Sequence, residues 1–163
     1  MMISAAMNAK LNEQVTAEFS AAHKYLAMAC AFEAKGLQML AQRFVQQHEE
    51  ERKHGMKIVR YLHDVGGTVA LEAIPKPQPD CSSVKSIVKA ALEGELDITR
   101  HIHELVALAE SEKDYSTKSF LQWFVDEQVE EVSTITHLLN VVELAGNNVL
   151  QIEGYIRHEL GES

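Results

Sequence analysis

The chain has 163 residues and a formal net charge of −9, and 46% of its residues are hydrophobic. This length and apolar content suit one globular domain with a sizeable core and exclude a disordered chain. The negative charge argues against a nucleic-acid-binding surface and favours cations as partners.

Three features of the sequence concern its cellular setting. Cys30 and Cys81 form no Cys-x-x-Cys pair, so we expect reduced thiols, as in a cytoplasmic protein. The first residues lack a charged segment followed by a long apolar run and give no indication of a secretion signal. No apolar stretch approaches the length of a membrane span. The sequence therefore predicts a cytoplasmic protein that binds neither membrane nor nucleic acid.

Two long helices are predicted in the first part of the chain. The first extends over about residues 4–35, with Ser4 as its N-cap, and Gly36 ends it. The second extends over about residues 37–65 and ends at Gly66 and Gly67. Because only a short turn separates them, we expect the two helices to be antiparallel neighbours.

A long connection follows, with Pro75, Pro77 and Pro79 in its middle. A helix of about 28 residues is roughly 42 Å long, and about 17 extended residues reach roughly 56 Å at most. The connection can therefore run the length of a bundle and make the second and third helices parallel, the crossover topology of some four-helix bundles. A flexible linker between two helical hairpins is the alternative.

The rest of the chain predicts three more helices, over about residues 83–111, 115–145 and 149–160. The last is short, and Leu150, Tyr155 and Ile156 form its apolar side. We therefore predict an all-α fold: a four-helix bundle with a long crossover between the second and third helices and a short C-terminal fifth helix. A single domain would cover residues 1–163.

Each long helix carries apolar residues at alternating steps of three and four, the stripe that a bundled helix buries. Polar residues interrupt every stripe near its middle. In the second helix, Glu51 and His54 are three residues apart and project from one face. The interruptions lie at similar distances from the turns that join the helices, so their side chains should meet inside the bundle. They are Glu18, Gln47, Glu51, His54, Glu95, Gln128 and Glu131.

Buried carboxylates in this number are costly without a cation. Two carboxylates about 5 Å apart repel by roughly 3 kcal/mol at an effective dielectric of about 20, whereas a domain is stable by only about 5–15 kcal/mol. Protonation would relieve part of the repulsion, and a pair of divalent cations would relieve it directly. Carboxylates with one imidazole and no thiolate suit iron or manganese. For Glu95 taken alone, the alternatives are a misassigned helical register and a solvated residue at the edge of the stripe.

These motifs resemble those of ferritins, most closely the bacterial non-haem ferritins. The resemblance covers nearly the whole chain, residues 11–145. Its motifs are Glu18 with Tyr25 seven residues later, Glu51-Arg52-Lys53-His54, Glu95-Leu96-Asp97-Ile98-Thr99, and the segment 120–131 with Gln128 and Glu131. It implies a ferritin-like bundle with a ferroxidase centre.

By this resemblance, a di-iron centre occupies the middle of the bundle. The ligands implied for the first iron are Glu18, Glu51 and His54, and those for the second are Glu51, Glu95 and Glu131. Glu51 would bridge the two ions. Gln128 would lie beside the second iron, and Tyr25 would form a hydrogen bond with a ligand.

The resemblance also implies a third iron site beside the pair, with Glu50, Glu127 and Glu130 as its ligands. One helical step rotates a side chain by about 100°, so these three residues lie just outside the core stripes. Glu127 and Glu130 share one helix face. A solvated acidic edge is the alternative.

The sequence lacks two metal-binding motifs that occur in related families. Rubrerythrins and bacterioferritins have a second Glu-x-x-His motif, but here Val132, Ser133 and Thr134 follow Glu131. Bacterioferritins carry a haem-binding methionine directly after the bridging glutamate, where this chain has Arg52. We therefore expect no haem.

The function implied is iron storage with ferroxidase activity. Fe(II) would be oxidised to Fe(III) by dioxygen or hydrogen peroxide, and the ferric mineral would be stored inside a homo-oligomeric shell of twenty-four subunits. Two alternatives remain: a di-iron oxygenase or peroxidase of the rubrerythrin type, and a non-catalytic metal-buffering bundle.

Overall fold

In a computed structural model that describes residues 2–161, the chain folds into five α-helices and no strand. They are α1 (Ala5–Ala34), α2 (Gln38–Asp64), α3 (Val84–Glu112), α4 (Tyr115–Ala145) and α5 (Val149–Gly161). The first four pack as a bundle, and α5 packs against α2 and α4. The predicted fold class is confirmed. Within residues 2–161, none of the helices combines the length and the apolar character that a bilayer span requires.

Local sequence explains where the helices begin and end. The Ser4 hydroxyl accepts a hydrogen bond from the backbone N–H of Met7 and so caps α1. Ser83 caps α3 in the same way, in a capping box with Ser86. The turn between α1 and α2 contains Gly36 with a φ of +76°, a left-handed conformation that glycine adopts without steric cost.

The apolar core is divided into two clusters, one toward each end of the bundle. The Phe32 cluster includes Met28, Phe32, Phe44, Ile87 and Leu138. The Leu62 cluster includes Met7, Leu62, Ile102 and Phe124. The N-terminal parts of α2 and α3 lie in the same cluster, so these helices are parallel. The segment between the clusters on every long helix contains the polar residues that interrupt the apolar stripes.

The crossover between α2 and α3 is fixed at its start by α1. The side-chain amide of Asn12 donates to the carbonyl oxygen of Thr68 at 2.8 Å and accepts from the backbone N–H of Ala70 at 2.7 Å. Asn8 accepts from the N–H of Thr68 at 2.8 Å. A Cβ atom at Gly67 would lie 2.6 Å from Asn8 Oδ1 and 3.2 Å from the carbonyl oxygen of Leu62, so a larger residue here would disturb the Asn8 contact. The crossover is therefore anchored, and the flexible-linker alternative does not hold.

The fifth helix differs from expectation in the side that it buries. Leu150 is 77% exposed, whereas Ile152 and Ile156 are 1% and 0% exposed. The prediction that Leu150 lies on the apolar side was therefore wrong, because the two isoleucines four residues apart form that side. Glu153, on the same helix, accepts hydrogen bonds from the backbone N–H groups of Met39 (3.1 Å) and Leu40 (2.9 Å).

Glu153 supplies the N-terminal cap that α2 lacks, because the N-cap residue Leu37 forms no side-chain hydrogen bond. We expect Glu153→Ala to lower the free energy of unfolding by about 1–2 kcal/mol, since it removes both a cap and a negative charge at a helix N-terminus. Amide hydrogen exchange should accelerate at Met39 and Leu40. Glu159→Ala, a change at an exposed position of the same helix, is the control. Equal effects of the two substitutions would contradict the capping role.

Candidate metal centre

Four helices bring carboxylates and one imidazole together between the two apolar clusters. Glu18 of α1, Glu51 and His54 of α2, and Glu95 of α3 are each 2% exposed or less. Glu131 of α4 is half-buried. Each residue interrupts the apolar stripe of its own helix, so packing of the stripes turns all five side chains inward.

The side chains form two groups that share Glu51. One group consists of Glu18, Glu51 and His54, and the other of Glu51, Glu95 and Glu131; in each, one ligand atom per residue lies within 4.8 Å of the others. His54 Nδ1 lies 3.3 Å from Glu51 Oε2 and 3.9 Å from Glu18 Oε2. This is the arrangement of two adjacent cation positions with one carboxylate between them.

Two buried polar atoms in the first group lack hydrogen bonds. Glu18 Oε2 and His54 Nε2 have no hydrogen-bond partner among the described residues. A buried polar atom left unsatisfied costs about 1–3 kcal/mol, and a charged one costs more. A divalent cation in this group would accept electron density from the Glu18 oxygen, so the donor set fits iron bound as a substrate.

The carboxylates receive neutral amide donors rather than cationic side chains. Across residues 2–161, no lysine or arginine forms an ion pair with Glu18, Glu51, Glu95 or Glu131. Each of these carboxylates instead accepts a glutamine N–H. Nε2 of Gln14 donates to Glu18 at 2.7 Å, Nε2 of Gln47 to Glu51 at 2.8 Å and to Glu131 at 2.7 Å, and Nε2 of Gln128 to Glu95 at 3.2 Å. The negative charge is thus left for a metal to neutralise.

Sequence reasoning missed Gln14. It precedes Glu18 by four residues, as Gln47 precedes Glu51, and this shared spacing on one helix face is the signal that could have found it. Gln14 is only 2% exposed.

Tyr25 is buried against the second group. Its hydroxyl donates to Glu95 Oε1 at 2.5 Å. Burial, followed by the negative charges of Glu95 and Glu51, raises the pKa of Tyr25 well above its ordinary value. The phenol therefore keeps its proton and acts as a hydrogen-bond donor at neutral pH.

The carboxylates have raised pKa values because they are buried together. Burial and then the charge of Glu51 raise the pKa of Glu95 to about 8 and that of Glu131 to about 7. The same two causes raise the pKa of Glu18 well above its ordinary value. Without a metal, the raised pKa values favour the protonated forms of these carboxyl groups, and cations that bind here would displace such protons.

His54 is oriented by aromatic neighbours that sequence reasoning did not assign to the site. Its ring lies edge-to-face with Trp123 and Phe124, with centroids 5.4 Å and 6.2 Å away. One residue along α2, a Cβ atom at Gly55 would lie 2.5 Å from the Phe19 ring, so glycine allows close packing beside the histidine. The spacing of these residues resembles ordinary core packing, which hides their role in the sequence.

The three residues predicted for a third site are not equally placed. Glu127 Oε1 lies 3.7 Å from His54 Nε2, and these two residues form a third potential metal-binding group with Glu131. Glu50 pairs with Lys53 at 2.9 Å, and Glu130 is exposed. The structure therefore brings Glu127 to the centre and leaves Glu50 and Glu130 outside the groups found among the described residues.

The chain is similar to known proteins in both sequence and structure. The ferritin-like domain family matches residues 8–145. A bacterial non-heme ferritin of Staphylococcus epidermidis is 43% identical over 138 residues, which are 84% of this chain and 83% of that protein. A bacterial non-heme ferritin of Staphylococcus aureus is 39% identical over 147 residues, or 90% of this chain and 89% of that protein.

Solved structures agree with the sequence matches. An open-pore ferritin from the archaeon Archaeoglobus fulgidus superposes with a TM-score of 0.93 at 35% identity, covering 95% of this chain and 96% of that one. A structure described as a humanized archaeal ferritin also gives a TM-score of 0.93 at 35% identity, covering 96% of each chain. The resemblance in the motifs is therefore confirmed, and the chain belongs to the ferritin-like family.

Proposed function

We propose that this protein stores iron and oxidises Fe(II) to Fe(III) at its paired carboxylate centre. The observation that carries the proposal is the sharing of Glu51 between two buried groups that each hold ligand atoms within 4.8 Å of one another. Family membership supports the same function. Iron enters this scheme as the substrate.

The two groups provide the ligands for two ferrous ions. The first iron would be held by Glu18, Glu51 and His54, and the second by Glu51, Glu95 and Glu131, with Gln128 beside it. Glu18 Oε2, which has no hydrogen-bond partner among residues 2–161, would bind the first ion directly. Tyr25, through its hydrogen bond to Glu95, would orient a ligand of the second ion.

The electron balance explains why two irons are held together. Two ferrous ions lose one electron each, and these two electrons with two protons reduce dioxygen to hydrogen peroxide. With hydrogen peroxide as the oxidant, two electrons and two protons yield two water molecules. The protein contributes proximity and a fixed arrangement of charge, so that both electrons reach one oxidant.

A cavity beside the second group favours a small oxidant over an organic substrate. The cavity lies between α1 and α3, has a volume of about 150 Å³, and is lined by Tyr25, Glu95 and small residues such as Ala21, Ala91 and Gly94. Pockets for organic ligands usually measure about 300–1,000 Å³. Dioxygen or hydrogen peroxide, the oxidants of the proposed reaction, would fit this space.

The proposal includes a hollow homo-oligomer, with twenty-four subunits as in the family resemblance, located in the cytoplasm and free of haem. Several large apolar side chains are exposed on the single chain, among them Leu71 at 72%, Leu144 at 88% and Leu150 at 77%. Exposed apolar side chains in this number suit contacts between subunits.

Loss of the shared carboxylate tests the paired centre. Glu51→Ala should reduce the initial rate of ferrous oxidation by more than about tenfold, because it removes a ligand from both irons. His54→Ala should weaken binding of the first iron more than that of the second. Stopped-flow absorption of the ferric product measures the rate.

The matched control for this test is Glu49→Ala. Glu49 lies on the same helix, is about half exposed, and pairs with Arg52 at 3.1 Å. It should oxidise iron at the wild-type rate. If Glu51→Ala also retained that rate, the centre would lie elsewhere; if the wild-type protein bound iron without oxidising it, the protein would be a metal buffer.

The assembly is tested by mass in solution. We expect light scattering at micromolar concentration to give one species with the mass of a closed shell, because a monomer would leave the apolar side chains described above in water. A monomer or dimer throughout this concentration range would contradict the storage function and favour the oxygenase alternative.

A third iron site would change the stoichiometry of oxidation. We expect Glu127→Ala and Glu130→Ala to leave the initial binding of two irons intact but to lower the number of ferrous ions oxidised per dioxygen, because a third iron supplies an extra electron. Oxygen-electrode measurements with known iron additions provide the ratio. Unchanged ratios in both variants would leave these glutamates, together with Glu50, as a solvated acidic edge.

A further inference from the structure

Gln47 connects two of the proposed iron ligands across two helices. It lies on α2, is 7% exposed, and donates from Nε2 to Glu51 Oε1 of its own helix at 2.8 Å. The same nitrogen donates to Glu131 Oε2 of α4 at 2.7 Å. One amide group therefore uses both of its N–H bonds on carboxylates from different helices.

A third hydrogen bond fixes the orientation of this amide. Arg43 donates from its guanidinium to Gln47 Oε1 at 3.3 Å. The Arg43 guanidinium can only donate, so the amide oxygen faces Arg43 and the NH2 group faces the two glutamates. The flipped amide would lose the hydrogen bond from Arg43.

These contacts leave the opposite oxygen of Glu51 directed toward the first metal-binding group. Glu51 Oε1 is held by Gln47, whereas Glu51 Oε2 lies 3.3 Å from His54 Nδ1. The two acidic side chains belong to different helices, α2 and α4. A shared donor between them holds their separation before any metal is present.

We propose that Gln47 is a positioning residue that sets the spacing of Glu51 and Glu131 around the second iron. The inference rests on the proposed function. Gln14 and Gln128 each donate to a single ligand carboxylate, Glu18 and Glu95 respectively, and neither joins ligands from two helices. Loss of Gln47 should therefore weaken binding at the second metal position more than at the first. A residue that only fills space in the core would not produce this difference.

Zinc binding provides the test, because Zn(II) occupies nitrogen and oxygen sites without redox chemistry. Gln47→Met retains the side-chain length and helix propensity but removes both donors. Calorimetric titration of the assembled, metal-free protein should show two tight zinc ions per subunit in the wild type. The zinc ion at the group with His54 should bind first, since imidazole favours zinc over carboxylate alone. In Gln47→Met we expect the second ion to bind about 10- to 100-fold more weakly, the usual effect of losing a residue that orients a ligand.

Two further variants make the result specific. Gln46→Met places the same change at the neighbouring exposed position and should bind both zinc ions as the wild type does. Arg43→Met removes the anchor of the amide without touching either carboxylate and should weaken the same second step by a smaller factor. Equal weakening of both steps, or unchanged binding in Gln47→Met, would overturn the positioning role. Failure of the wild type to bind two zinc ions, with Glu51→Ala indistinguishable from it, would overturn the proposed function itself.

Discussion

The burial of four carboxylates in one layer of a helical bundle is the constraint on which the rest of this structure depends. No Lys or Arg within the described chain pairs with them, and two buried atoms, Glu18 Oε2 and His54 Nε2, have no hydrogen-bond partner there. A folded domain tolerates such a layer only if the surrounding packing is strong and the charge is neutralised by protons or metal ions. The raised pKa values of Glu95, about 8, and Glu131, about 7, are the metal-free form of that neutralisation.

The polar layer lies between two apolar clusters, which form the two halves of the bundle core and support the layer from both sides. The Phe32 cluster and the Leu62 cluster contain fully buried Phe32, Phe44, Ile58 and Leu62. Because each cluster is packed independently, the polar layer between them need not contribute to stability itself. Amide donors suit such a layer better than cations, since a lysine or arginine would neutralise the carboxylates permanently and compete with the metal. In each long helix, the two apolar segments stabilise the fold, and the polar segment between them supplies the candidate metal ligands.

The parts of this arrangement that follow helical periodicity could be predicted from sequence. Glu18, Glu51, His54 and Glu95 interrupt regular apolar stripes, and the three- and four-residue spacing determines which face they occupy. Residues whose role depends on contacts between helices could not be predicted in the same way. The bond from Gln47 to Glu131 joins positions 84 residues apart, and no local pattern encodes it. The buried side of α5 was misjudged for a related reason: Leu150 and Ile152 have similar hydrophobicity, and the packing of α5 against α2 and α4 sets which of them faces the core.

The two metal-binding groups differ in how many of their carboxylate and imidazole atoms already form hydrogen bonds. In the first group, Glu18 Oε2 and His54 Nε2 lack partners among residues 2–161. In the second, Glu95 receives hydrogen bonds from Tyr25 and Gln128, and Glu131 receives one from Gln47. A cation in the first group would contact Glu18 Oε2, which has no hydrogen bond to lose, whereas a cation at Glu95 would compete with the hydrogen bonds from Tyr25 and Gln128. We therefore expect a divalent cation to displace fewer hydrogen bonds at Glu18 than at Glu95.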